Sequence, residues 1–268
     1  MALKKLQLGQ GKTCYGDEYD PSLLRPIERA IGRSQLKMNQ FYGYDLWRMY
    51  EITCLDRDGV PMSLCASMKV DASSVRIIES KSLKLYLLSF TMTKFASADE
   101  VALVIAHDLG HELKSEVEVN VFTDENCPFT PLEKEGVLID SLSPFEITYD
   151  YNPDLLKNED GKVKETLRSD ILRTLCPVTG QPDHAEVFIS YEGKKISKEG
   201  LLSYLISLRN HRGFHEQCCE LIYSDIMTQL NPSSLCVRCA FTRRGGIDIN
   251  PVRATTDFLL NAPRTLRQ

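Results

Sequence analysis

Tyr86-Leu87-Leu88-Ser89 returns as Tyr204-Leu205-Ile206-Ser207, an offset of 118 positions (204 − 86). Self-similarity at a long fixed spacing means that one supersecondary unit has been used twice. Working outward from this pair, the run Asp99 to Leu109 resembles Glu216 to Ile226, and Val117 to Phe122 resembles Cys236 to Phe241. Upstream of the first copy, Trp47 to Leu55 and Met62 to Val70 flank the turn-forming Asp58-Gly59, which predicts a β-hairpin. Leu83, Leu87 and Phe90, then Val101, Leu103, Val104 and Leu109, predict two helices, the second opening near Ser97 and Asp99. Val117, Val119 and Val121 alternate with Glu118 and Asn120, the period of a half-buried strand. Each half therefore reads as strands, two helices, then strands. The expected fold class is α+β, with two tandem units whose antiparallel sheets are backed by helices. The expected division is an irregular N-terminal arm over 1–45, a first unit over 46–150 and a second over 151–268, joined through Asn152 to Gly161.

A chain of 268 residues with 43% hydrophobic content has enough apolar surface to bury two modest cores. No apolar run reaches eighteen residues and the first residues carry no signal-peptide core, so a soluble, cytoplasmic protein is expected. A net charge of −5 argues against a dedicated nucleic-acid or membrane binder and for a small-molecule partner. Nine cysteines form an odd set without a regular framework, so reduced thiols are expected.

The halves differ in chemistry. Only the second has Cys176-Pro177-Val178-Thr179-Gly180-Gln181-Pro182-Asp183, read as a turn-rich loop carrying an accessible thiol and a carboxylate. Packing thiols and turn carboxylates are equally served by such a stretch. His215-Glu216 opens a helix where the first half has Ala98-Asp99; the pair can hold a polar ligand, or Glu216 can simply favour the positive end of the helix. Ile78-Glu79-Ser80-Lys81 joins a strand to a helix start suited to an anion, and Arg243-Arg244-Gly245-Gly246 sets two guanidiniums beside a permissive backbone. An ordinary helix start and an exposed turn are the plainer explanations.

Three other signals fail on spacing. Gly11-Lys12-Thr13 ends like a P-loop, but its first glycine would fall at Leu6. Cys236 and Cys239 have no second pair to complete a zinc site, and His107 and His111 lack the internal glutamate of a zincin. No GxGxxG follows a strand, so a nicotinamide cofactor would not be held by a Rossmann fold.

Together, Tyr19-Asp20-Pro21-Ser22-Leu23-Leu24, Glu79-Ser80-Lys81-Ser82-Leu83-Lys84-Leu85-Tyr86, Cys176 to Asp183, Phe214-His215-Glu216-Gln217-Cys218 and Arg243-Arg244-Gly245-Gly246 closely resemble the 7-cyano-7-deazaguanine reductases, the nitrile reductases of queuosine biosynthesis, in their longer two-unit form. The resemblance spans nearly the whole chain. It implies a tunnelling fold with antiparallel sheets backed by helices, one active site per chain, no metal, and a homodimer that binds neither nucleic acid nor membrane. It implies that Cys176 attacks the nitrile carbon to form a thioimide, that Asp183 donates a proton and that His215 assists. Ile78, Glu79, Ser80, His215 and Glu216 then bind the substrate, and Ser80, Lys81, Arg244 and Gly245 bind NADPH, two molecules per turnover. A zinc-dependent tunnelling-fold enzyme acting on pterins or purines, or a non-catalytic binding module, would share the fold without the Cys176 and Asp183 pair.

Overall fold

The structure is a computed structural model that describes residues 15–256 and 262–268. The P-loop-like Gly11-Lys12-Thr13 lies outside the described residues. The chain divides into two compact units, one of Met1–Ile31, Leu46–Phe129 and Arg243–Ile249, the other of Gly32–Asp45, Thr130–Thr242 and Asn250–Gln268.

In the first unit, β2 (Tyr42–Leu55, from Leu46 onward) and β3 (Pro61–Asp71) flank the expected turn, and β3 pairs antiparallel with β5 (Val117–Phe122). Along β3 the side chains of Leu64, Ala66, Met68 and Val70 are buried every second residue, because successive side chains of a strand point to opposite faces. Two helices cover that face: α2 (Ser80–Leu88) and α3 (Ala98–Leu113). On α3, Val101, Ile105, Leu109 and Leu113 are all buried, one per helical turn. The Ser97 hydroxyl accepts from the Glu100 N–H and caps α3, as its position predicted. Trp47, Met49, Ile52, Leu83, Tyr86 and Phe90 join them in one core. Each fully buried side chain of this size contributes about 1.5–3 kcal/mol.

Part of the stretch read as irregular is ordered structure. β1 (Pro26–Glu28) pairs antiparallel with β4 (Arg76–Ile78), and α1 (Ala30–Arg33) follows it. Elements of three and four residues are too short to show a period, so composition alone hides them.

In the second unit β7 (Asn158–Leu175), β8 (Pro182–Ile196), β9 (Ser234–Phe241) and the Asn250–Ala254 part of β10 (Ile247–Ala254) form an antiparallel sheet; the two-residue β6 (Val137–Leu138) adds to β7 in parallel. α4 (Lys198–Ser207) and α5 (His215–Leu230) supply the helical layer. β7 starts inside the expected connector: Asn158 pairs with Ile196, while Asp160 and Gly161, the latter at φ +100, fall in a bulge before Lys162 resumes the pairing opposite Lys194. Gly43, at φ +121, passes so close to Val252 that a Cβ would lie 2.2 Å from its carbonyl oxygen.

The repeat reaches individual hydrogen bonds. In the first unit Tyr19 and Tyr86 both donate to Asp108 Oδ2, at 2.7 and 2.6 Å. In the second, Tyr151 and Tyr204 both donate to Asp225, at 3.0 and 2.6 Å. Ser89 Oγ accepts from the Asp20 N–H as Ser207 Oγ accepts from the Asn152 N–H. Lys114 and Asn231 end α3 and α5 in the same left-handed conformation.

Candidate active site

Antiparallel pairing of β7 with β8 runs to Leu175 and Pro182, so the connection is only Cys176 to Gln181. The Cys176 N–H donates to Gln181 O at 2.9 Å and the Gly180 N–H to Cys176 O at 3.0 Å. Gly180 adopts φ +72, a conformation that favours glycine. The turn is flanked on one side: the Leu175 N–H donates to His211 O, the Gly213 N–H donates to Leu175 O, and the Arg212 guanidinium lies 3.4 Å from the Cβ position of Gly180. Cys176 is consequently only 3% exposed, which corrects the expectation of an accessible thiol. Proline and glycine here make the loop tight rather than open.

Asp183 is likewise not a loop residue. It is the second residue of β8, opposite Thr174 and buried. On the same face of the sheet, α5 begins at His215, whose Nε2 lies 3.5 Å from Asp183 Oδ2. The Gln217 side-chain oxygen accepts from the Phe214 N–H and holds this helix start. The imidazole stacks on Phe241 of β9 with centroids 4.0 Å apart and planes 10° from parallel. His215 Nδ1 is buried without a hydrogen-bond partner among the described residues. Glu216 follows, also buried. The second unit thus gathers a thiol-bearing turn, a carboxyl, an imidazole and a second carboxyl around one end of its sheet.

Comparison with known proteins places the chain in a family. The family profile described as "Nitrile reductase, 7-cyano-7-deazaguanine-reductase N-term" matches residues 15–121, and that described as "QueF-like protein" matches residues 182–258. The NADPH-dependent 7-cyano-7-deazaguanine reductase of Legionella pneumophila (strain Lens) is 44% identical over 270 residues, covering 98% of this chain and 94% of its own. This chain belongs to that reductase family. The reductase of the same name from Coxiella burnetii (strain CbuK_Q154) is 41% identical over 271 residues, covering 99% of this chain and 97% of its own. The helix-backed strands of each unit accordingly fit the tandem tunnelling-fold architecture of these reductases.

The other sequence candidates lie in the first unit. Ile78 ends β4, and Glu79 precedes α2 with its carboxylate side chain fully buried. Ser80 and Lys81 open α2, where the first N–H groups of a helix have no intrahelical acceptor. Gly245 and Gly246 turn back with φ +59 and +77, and a Cβ on Gly245 would stand 2.8 Å from the Lys84 side chain. The structure therefore brings the Arg244-Gly245 turn to α2. Arg243 stacks over the Tyr50 ring at 4.4 Å. Helix N–H groups, Lys81, Lys84 and Arg244 make a donor set that fits the phosphates of a dinucleotide.

The remaining thiols of the second unit do different work. Cys219 is fully buried on α5 and donates to Val237 O and Pro251 O at 3.6 and 3.5 Å, and burial holds its thiol well above the ordinary range. Burial pushes the Cys218 thiol up to about 12. Nucleophilic cysteines react as thiolates, so both are suited to packing rather than attack. Cys236 and Cys239 sit three apart on β9, on opposite faces, and cannot share one ion. His107 and His111 are exposed beside Asp108 and Glu112. Among the described residues no three His, Cys, Asp or Glu side chains converge to hold a metal. Phe241 and Arg212 escaped the sequence reading, because a core-like strand phenylalanine and a loop arginine carry no local signature.

Proposed function

We propose that this reductase converts the nitrile of 7-cyano-7-deazaguanine into an aminomethyl group with NADPH, through a covalent bond to Cys176. The observation that carries the reading is the buried Asp183 and His215 pair beside the Cys176 turn. Cys176, as the thiolate left when its proton passes to water, adds to the nitrile carbon, one π pair moves to nitrogen, and the Asp183 carboxyl gives that nitrogen a proton, leaving a neutral thioimide. His215, 3.5 Å from Asp183, returns protons to the carboxylate and holds it in place. The C–S bond later breaks with its electrons returning to sulfur, which frees Cys176 for another turnover. Bound NADPH supplies hydride, two equivalents for the four electrons that separate nitrile from amine.

Glu216 and Glu79 suit the N–H donors on the edge of a deazaguanine, and Ile78, Ser80 and His215 complete the proposed substrate contacts. Ser80, Lys81, Arg244 and Gly245 would hold the NADPH phosphates. A homodimer is the proposed assembly, because β5 closes its sheet order with an edge of six residues that a second copy can cover. No helix among the described residues is long and apolar enough to cross a membrane. Eight described cysteines are all unpaired, which suits a reducing compartment and supports a cytoplasmic site of action.

The test follows NADPH absorbance with 7-cyano-7-deazaguanine, alongside intact-mass measurement of the protein. Two NADPH consumed per nitrile, with a substrate adduct that Cys176→Ala abolishes, is the expected result. An adduct that survives in Cys176→Ala and disappears in Cys219→Ala would move the nucleophile to α5.

A further inference from the structure

We infer that Phe241 is a positioning residue of the nitrile reduction: its ring sets the plane of the His215 imidazole and thereby aims both ring nitrogens. The inference rests on the assignment of His215 to the reaction. His215 is the first residue of α5, where the backbone constrains χ1 but leaves the ring torsion broad. Two contacts remove that freedom. Asp183 Oδ2 lies 3.5 Å from Nε2, and the Phe241 ring lies flat against the imidazole at 4.0 Å with an interplanar angle of 10°. The Asp183 oxygen stands against one edge of the ring, while the aromatic face fixes its plane. Nδ1, on the other side of the ring, is then held in one direction although nothing in the described residues bonds to it.

The sheet is built to permit the stack. Phe241 pairs across β8 with Ala185, whose single methyl leaves room for a flat ring above it. Ala185 lies two residues from Asp183 on the same face, so carboxyl and phenyl ring stand side by side along the sheet. The strand end that carries the ring is tied down. The Gln268 side-chain amide donates to Phe241 O at 3.1 Å, and the Thr242 N–H donates to His184 O at 3.0 Å.

The experiment compares Phe241→Leu, Phe241→Tyr and His215→Ala in the full-length protein. Each variant is checked by thermal melting, and the histidines are followed by NMR with 13C-labelled histidine. In the unaltered protein the ring current should shift the His215 Hε1 signal, which His215→Ala identifies by its disappearance. Phe241→Leu, folded, should move that signal and lower kcat about five- to tenfold, with KM for the nitrile changed less than about twofold, the size of one lost aromatic stack. Phe241→Tyr, retaining the ring, should restore most of kcat. A folded Phe241→Leu with the signal moved and kcat intact would overturn the inference. Full activity of His215→Ala would instead remove the assignment of His215 on which it rests.

Discussion

The two units share a skeleton and divide the chemistry. In each, two tyrosines donate to one aspartate on the second helix, a serine ending the first helix receives the chain from an Asx-Pro turn, and a left-handed residue closes the second helix. They part at two points. The hairpin turn of the first unit is closed by Asp56, whose Oδ1 accepts from the N–H groups of Asp58 and Val60; the corresponding turn of the second carries Cys176. The second helix opens on half-buried Ala98 and exposed Asp99 in one unit, and on buried His215 and Glu216 in the other. Residues that hold the layers together are thus distinct from those placed at the hairpin and helix end. The residues proposed for the reaction lie at the hairpin turn and the helix start, apart from the tyrosine–aspartate networks.

That separation can be broken most forcefully at the turn. Cys176→Ala should lower turnover at least about a thousandfold, as loss of a covalent nucleophile does. Cys54→Ala, in the first-unit core, should leave turnover within about twofold, since it removes only packing. Asp183→Asn should cost about a hundredfold in kcat in the NADPH assay, the scale of one proton donor.

Stability should sort the other way. Arg253 is fully buried; burial opposes its charge, yet Asp45 and Glu220, each 2.8 Å away, drive its pKa upward. Arg253→Ala removes the buried guanidinium that Asp45 and Glu220 share, leaving Glu220 its pair with Arg33 at 2.7 Å, and should cost about 3 kcal/mol by urea unfolding. Asp108→Ala and Asp225→Ala should each cost about 2 kcal/mol, and near-equal losses would confirm that the two tyrosine pairs do the same job. Unequal losses, beyond about 1 kcal/mol, would show that one unit relies on its network more than the other does.

The smallest effect is one of pH. Burial lowers the pKa of His211 below its ordinary 6.5. Folding therefore favours the neutral ring, and this contribution is present above 6.5 and lost as pH falls toward the depressed folded value. His211→Gln should flatten the fall of Tm between about pH 7.5 and 5.5; an unchanged slope would assign it to other groups.

Much of this was legible in the sequence. The 118-residue repeat, the Asp58-Gly59 hairpin, the period-two run of β5 and the Ser97 cap predicted elements that the fold contains, because local pattern and tertiary packing demand the same residues there. Reading failed where long-range pairing outweighs local preference. Asn158 to Gly161 looks like a connector, yet Asn158 already pairs with β8 and the residues after it only bulge from the strand; Asp183 after a proline looks like a turn, yet it is fixed opposite Thr174. Solvent access to Cys176 was misjudged for the same reason, since the segment 211–213 that flanks it is distant in sequence.

What the chain by itself determined is its family, the repeat and the order in which the proposed site residues come. Tertiary structure alone decided how they are oriented: Asp183 against His215, His215 flat on Phe241, and Lys84 against the Gly245 turn. Periodicity reports which face of an element is buried, whereas the aim of a side chain depends on register between strands and on a helix start far away in the chain.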